Sequence, residues 1–184
     1  QYLLQADYVQ PIAKEGKIEG GLRSTLRDMD NDFYLQEQLI DGTWETLPGF
    51  DDRFLYLENN YAAYGIYGNK KGNFGYKIGL RAEMTDIKTE LVESKAENAR
   101  NYSNLFPSAH LTYELPKENA MQVSYSRRIR RPRYNDLSPF VTYSDERNYW
   151  SGNPDLNPEF TDAYEIGHIK YFEEGSLSSS IYYR

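Results

Sequence analysis

Cysteine is absent from this chain, which removes disulfides, thiolate metal sites and cysteine nucleophiles from consideration. Long apolar runs are missing too: nothing approaches the ~18 residues a spanning helix needs, so no helix of this sequence crosses a bilayer. A mean hydropathy of -0.80 adds to that exclusion but does not reach a β-barrel, whose strands alternate apolar outside with polar inside. There is no excess of positive charge. Lys and Arg number 21 against 28 Asp and Glu, a net charge of -7, whereas binding to phosphate backbones calls for a basic surface. No basic segment followed by an apolar one opens the chain; Gln1 leads directly into a strand-like pattern, as at a mature or excised end.

Aromatic residues are plentiful: 15% of the chain, with 18 Tyr against 8 Phe and 2 Trp. Tyrosine suits both strands and the wet edge of a lipid bilayer, although Tyr-rich soluble sandwiches share the trait. The clearest periodic stretch puts Phe74, Tyr76, Ile78, Leu80, Ala82 and Met84 on one face and Gly75, Lys77, Gly79, Arg81 and Glu83 on the other. Period two means strand. Its roughly eleven residues, at about 3.3 Å each, suffice for a tilted membrane crossing and exceed the about five or six of an ordinary globular strand. Residues 108–115 and 121–126 alternate in the same way, and 2–9, 17–27, 61–68, 160–170 and 176–183 do so less cleanly, which makes eight strands.

The intervening stretches alternate in length. Residues 11–16, 69–72, 116–119 and 172–175 make short turns, whereas 28–60, 86–101 and 131–159 make long loops. Outer-membrane barrels show this asymmetry, with short turns on the periplasmic side and long loops outside; a soluble meander has no reason for it. With the short turns in the periplasm, both ends of the chain fall outside, so the reading expects an internal piece of a wall in preference to a closed eight-strand barrel. No internal repeat or low-complexity linker divides residues 1–184, which form one segment.

Residues 79–83 (GLRAE), 102–113 (YSNLFPSAHLTY), 124–143 (SYSRRIRRPRYNDLSPFVTY) and 151–164 (SGNPDLNPEFTDAY) together resemble the outer-membrane β-barrel family of TonB-dependent receptors. Each motif is weak alone; four in order, at spacings that agree with the strands, are specific. The resemblance covers nearly the whole chain. It implies an energised receptor of about 22 strands around a plug, importing siderophores, cobalamin or glycans. The plug, the segment that engages TonB and the closing strands are not found in these residues.

The basic run from Arg127 to Arg133 sits on a strand of an acidic chain, which speaks against nucleic acid. Alternation places Arg128 and Arg130 on the lumen face with Gln122, Ser124 and Ser126, and turns Arg127 toward the outer lipid interface. Two readings stay open for the lumen arginines: contact with a plug or an anionic solute, or pairing with wall acids such as Glu83 and Glu114. Arg127 has lipopolysaccharide phosphate as a candidate partner. In the third long loop Tyr143, Tyr149 and Trp150 lie among turn formers, a mixture that stacks on sugars or packs the loop against itself. Asp28, Asp30 and Asp32 have EF-hand spacing, but Phe33 and Leu39 replace the required Gly and Glu, so an EF-hand is rejected and a weak divalent-ion site or a solvated acidic loop remains. His110 and His168 lie in different strands, and no nucleophile elbow or carboxylate pair supports catalysis.

The sequence therefore predicts an all-β antiparallel meander of about eight long strands, part of a transmembrane β-barrel in the cell outer membrane. Its expected role is nutrient uptake and not catalysis, with Arg128, Arg130, Tyr143, Tyr149 and Trp150 as candidate ligand or plug contacts. No cofactor is expected. Expected partners are outer-membrane lipid, the TonB complex through the plug region, and a small nutrient ligand; nucleic acid is not among them, and the isolated segment is expected to self-associate. The competing reading is a soluble all-β ligand-binding module or surface adhesin using the same aromatic loops.

Overall fold

The computed structural model describes residues 1–140, 142–143 and 148–184, with 49, 50, 142 and 143 described by backbone alone. Eight strands form one antiparallel sheet in the order β1 (Tyr2–Ile12), β2 (Gly16–Gln38), β3 (Trp44–Lys71), β4 (Phe74–Leu91), β5 (Ala96–Leu115), β6 (Asn119–Arg130), β9 (Glu159–Phe172) and β10 (Gly175–Tyr183). Between β6 and β9 the chain makes one helical turn, α1 (Tyr134–Leu137), and a small two-stranded ladder of β7 (Thr142–Tyr143) and β8 (Tyr149–Trp150). All sequential neighbours in the large sheet pair as hairpins except β6 and β9, which the third connection joins. The eight expected strands are all present, and their four short turns lie at one end of the sheet. At three of these turns the chain enters left-handed backbone, at Ala13 (φ 53°), at Gly72 (φ 60°), where glycine fits without strain, and at Lys117 and Glu118 (φ 61° and 58°). No ladder joins β1 to β10 among the described residues, so the sheet is open.

The first two long connections are not loops. β2 and β3 run on as a ladder to Gln38 and Trp44, and β4 and β5 to Leu91 and Ala96, leaving only tight turns. Turn formers such as Asp28, Asp30, Asp32, Gly42 and Pro48 hide this continuation in the sequence, although the alternation Thr85, Ile87, Thr89 and Leu91 carries it on β4. Extended β2–β5 thus project beyond β1, β6, β9 and β10 as a four-stranded blade.

Register fixes the faces. Opposing Cα partners share a face, so Ala6, Leu22, Ala63, Ala82 and Leu105 form one row. On that face Leu22, Ile78, Leu80 and Leu105 are 50–64% exposed, an apolar surface that only lipid accommodates. Near the short turns the same face carries Tyr67, Phe74 and Tyr76 in ring contact at 5.9 and 6.1 Å, with Tyr113 and Phe172 exposed beside them, as in the aromatic girdle of a barrel. The opposite face is polar: Lys77 meets Glu19 at 3.2 Å, Lys70 meets Glu114 at 2.6 Å, and Tyr64 donates to Asp7 at 2.5 Å.

In the blade the apolar side changes over. On β4 the even-numbered residues up to Met84 carry the outward apolar stripe, but beyond it the odd-numbered Thr85, Ile87 and Thr89 become buried on the inner face. On β3 the outward row of Tyr61, Ala63 and Tyr67 gives way to inward Phe54 and Tyr56, each 1% exposed. Apolar groups face outward where lipid is the solvent and inward where water is.

Candidate functional site

The third connection folds over the inner face of the blade. Pro132 cannot extend the β6 ladder, and the chain turns into α1, whose Asp136 carboxylate accepts the Arg133 N–H at 2.8 Å. This places Leu137 in a core with Phe54, Tyr56 and Ile87, flanked by Tyr134 and Phe140. Phe140 stacks on Phe33 at 4.5 Å, and Tyr134 meets the rings of Phe54 and Tyr56 at 5.4 and 5.9 Å. Each such pair contributes about 0.5–1.5 kcal/mol beyond area burial. Asp52 serves the same blade by tying the turn after β4: it accepts from the amides of Glu93 (2.9 Å) and Ser94 (3.2 Å) and from the Ser94 hydroxyl (2.8 Å).

The connection returns along α1. Gly152 N–H donates to the Ser138 carbonyl at 2.8 Å and Asn153 N–H to that of Asp136 at 2.7 Å. Arg100 on β5 donates to the Leu156 carbonyl and meets Asp155 at 3.3 Å. At its start, Arg131 bonds the Glu83 carboxylate and, at 3.0 Å, the wholly buried Thr85 hydroxyl, which also accepts from Asn60 at 2.8 Å. Glu83 is simultaneously held by Arg81 at 2.6 Å, whose guanidinium lies over Phe106 at 5.1 Å from its centroid.

The sequence candidates divide into two groups. Arg128 and Arg130 face inward, as alternation required, and border a shallow hollow of about 500 Å³ with Ser124, Ser126, Thr161 and Glu165. Arg130 meets Glu159 at 3.6 Å with both side chains exposed, while Arg128 makes no ion pair among the described residues. Of the two readings, pairing with a wall acid holds for Arg130, although its partner is Glu159 and not Glu83 or Glu114: Glu83 takes Arg81 and Arg131, and Glu114 takes Lys70. Arg127 points outward over Phe160 at 5.4 Å and lies 4.0 Å from Asp162. Tyr149 and Trp150 stand on β8, 67% and 45% exposed, and neither lines that hollow. Tyr143 pairs with Tyr149 through the backbone; its side chain lies outside the described residues.

Asp30 and Asp32 face outward on the blade, where Arg53 holds Asp30 through two hydrogen bonds; no group of three or more acidic or histidine side chains able to hold a metal occurs among the described residues. His110 shares a hydrogen bond with Thr112 at 3.2 Å on the inner face, and His168 one with Asn119 at 3.2 Å. Sequence reasoning missed Glu83, Thr85 and Arg131 as a unit. The signal was the inward phase of Glu83, Thr85 and Ile87, which continues the strand into what read as a loop.

The model of the outer membrane protein beta-barrel family matches residues 1–184. Similar folds occur in the copper transporter OprC (15% identity over 92% of this chain and 26% of that one, TM-score 0.63) and the ferric citrate transporter FecA in its unliganded form (14%, 98% and 26%, TM-score 0.65). The ferric yersiniabactin uptake receptor FyuA from Yersinia pestis is also similar (10% identity over 98% of this chain and 27% of that one, TM-score 0.61). At these identities the likeness shows the fold, and the chain spans only 26–27% of the length of those three proteins. No curated protein matches it. With a meander turned tightly at one end, an apolar face toward lipid and a polar face toward a lumen, the chain belongs to the outer membrane protein beta-barrel family, and its place is the outer membrane.

Proposed function

We propose that residues 1–184 form part of the wall of a TonB-dependent receptor that imports a small nutrient, of the siderophore, cobalamin or glycan kind, through a plugged lumen. The observation that carries this reading is the inward fold of α1 and the residues around it: a wall that is only a scaffold has no need of Tyr134, Leu137 and Phe140 packed over its inner face at the end away from the short turns. The fold is shared with OprC, FecA and FyuA, whose names describe copper, ferric citrate and ferric yersiniabactin uptake. In this reading Trp150 and Tyr149 are contacts at the mouth, Arg128 and Arg130 are contacts for an anionic solute or a plug deeper in the lumen, and TonB acts through a plug segment of the receptor. Membership of the family sets aside the soluble module or adhesin.

The test uses fluorescence. Only Trp44 and Trp150 are present, so a Trp44→Phe variant isolates Trp150. Ferric citrate, cyanocobalamin and maltoheptaose are titrated separately against that variant in detergent. Saturable quenching by one of them, abolished in Trp150→Phe and weakened in Arg128→Gln, is expected; no saturable response to any of the three removes Trp150 as a contact for these ligand classes.

A further inference from the structure

We infer that residues 131–140 and 148–158 of the third connection form a fixed shelf and not a mobile lid, and that Glu83, a residue of the wall, is the latch that positions it. The described parts of the connection, residues 131–140 and 148–158, are held at both ends and in the middle. At the start, Arg131 reaches Glu83 and Thr85 on β4. At the finish, Arg100 and Asn98 of β5 hold Asp155 and Leu156. Between them Gly152 lies so close to α1 that an added Cβ would meet the carbonyl oxygens of Ser138, Asp136 and Asn135 at 2.5, 2.6 and 2.7 Å. All three are backbone atoms, which cannot swing aside, so no other residue fits without parting the two halves of the connection.

Glu83 is the member of this set that acts at a distance. Its side chain is 9% exposed and that of Arg131 20%, so the pair lies mostly out of water, where removing one partner leaves the other charge uncompensated. The Arg131 guanidinium also lies against Tyr102, whose ring centroid is 6.0 Å from its central carbon. Glu83 is the one carboxylate that Arg131 meets among the described residues. Arg81 grips the same carboxylate from within β4. This leaves Glu83 aimed between lumen and shelf, two residues below the point where the apolar side of β4 changes over. The shelf then narrows the mouth permanently, and the contact residues it carries sit where the wall dictates.

Hydrogen–deuterium exchange followed by mass spectrometry, on the full chain in detergent micelles, tests this without any ligand and so independently of the uptake reading. In the parent chain the Ser138, Gly152 and Asn153 amides are expected to be protected. Glu83→Gln, which keeps the shape and removes the charge, is expected to raise exchange in peptides from 131–140 and 148–158 about tenfold, with the β4–β5 ladder unchanged. Arg131→Gln, which leaves the wall intact, is the second arm should Glu83→Gln fail to fold, and is expected to do the same. Rapid exchange of both segments in the parent chain would overturn the shelf. Protection that survives in Arg131→Gln would overturn the latch.

Discussion

The wall and the blade of this one sheet solve opposite problems. In the wall, β1 and β10 are exposed along their whole length, and the large apolar side chains of β4 point away from the protein. In the blade, Phe54, Tyr56 and Ile87 are buried in a core that Leu137 of the third connection completes from above. β3 and β4 pass through both regions without a break in pairing, so hydrogen bonding does not distinguish them. What differs is the solvent. In lipid there is no gain in bringing apolar side chains together, and the strand need only satisfy its backbone. In water the same strand must cover its apolar face, and Tyr134, Leu137 and Phe140 supply the cover.

The largest effect expected from this contrast is on solubility. A wall whose outward face is apolar and whose two edge strands are unpaired requires detergent or lipid. In detergent-free buffer the 184-residue chain is expected to self-associate, as read by light scattering. A stable monomer there would contradict an exposed lipid-facing wall.

Next in size are substitutions that separate the two regions. Phe54→Ala empties the blade core and is expected to cost about 3–5 kcal/mol of local stability, seen as loss of amide protection in the blade while the wall ladders keep theirs. Leu80→Arg puts a charge near the middle of the lipid-facing row and is expected to cost about 2–4 kcal/mol in a bilayer, measured by denaturant unfolding in liposomes. The same change at Leu57, outward on the blade and already 39% exposed, is expected to stay within about 0.5 kcal/mol. Equal costs at Leu80 and Leu57 would erase the boundary between the regions. Spin labels sharpen it: Tyr76, Ile78, Leu80 and Ala82 are expected to be accessible to a lipid-soluble relaxant and Lys77 and Arg81, whose side chains are 43% and 46% exposed, to a water-soluble one, with lipid accessibility ending before Lys88.

Much of the wall was legible because a two-solvent strand writes its environment into period-two alternation; Phe74 to Met84 is the clearest case. The blade was hidden for two reasons. FLYL at 54–57 is apolar on both faces and shows no alternation, and the acidic residues 28–32 carry the composition of a loop although they pair in register with 53–57. The inward direction of Arg128 and Arg130 followed from strand phase. Their partners did not, since which acid lies nearest depends on the register of strands distant in sequence. Arg131 stands just past the last strand residue, where phase says nothing, yet it carries the contact that positions the shelf.

The smallest expected effect is one of pH, and it concerns the blade alone. Burial pushes the Asp52 carboxyl upward, but hydrogen bonds from the amides of Glu93, Arg53 and Ser94 and from the Ser94 hydroxyl outweigh it, and the group is held below the usual carboxylate range. A depressed carboxylate stabilises the fold above its unfolded value of about 3.9, and that contribution is lost as pH falls through the lower folded value. The turn at 92–95 is therefore expected to loosen only in acid below about pH 4, where protonated Asp52 no longer accepts from all these donors. The wall has no equivalent at its short turns, where Asn119 caps through its neutral amide, donating to the carbonyls of Pro116 and Lys117 at 3.0 Å each. Amide exchange at Glu93 and Ser94, corrected for the intrinsic pH dependence, is expected to rise as pH is lowered from 5 to 3 and to lose this response in Asp52→Asn. A response of the same size at Asn119 would show that the acid effect is general and that Asp52 does not hold the blade turn.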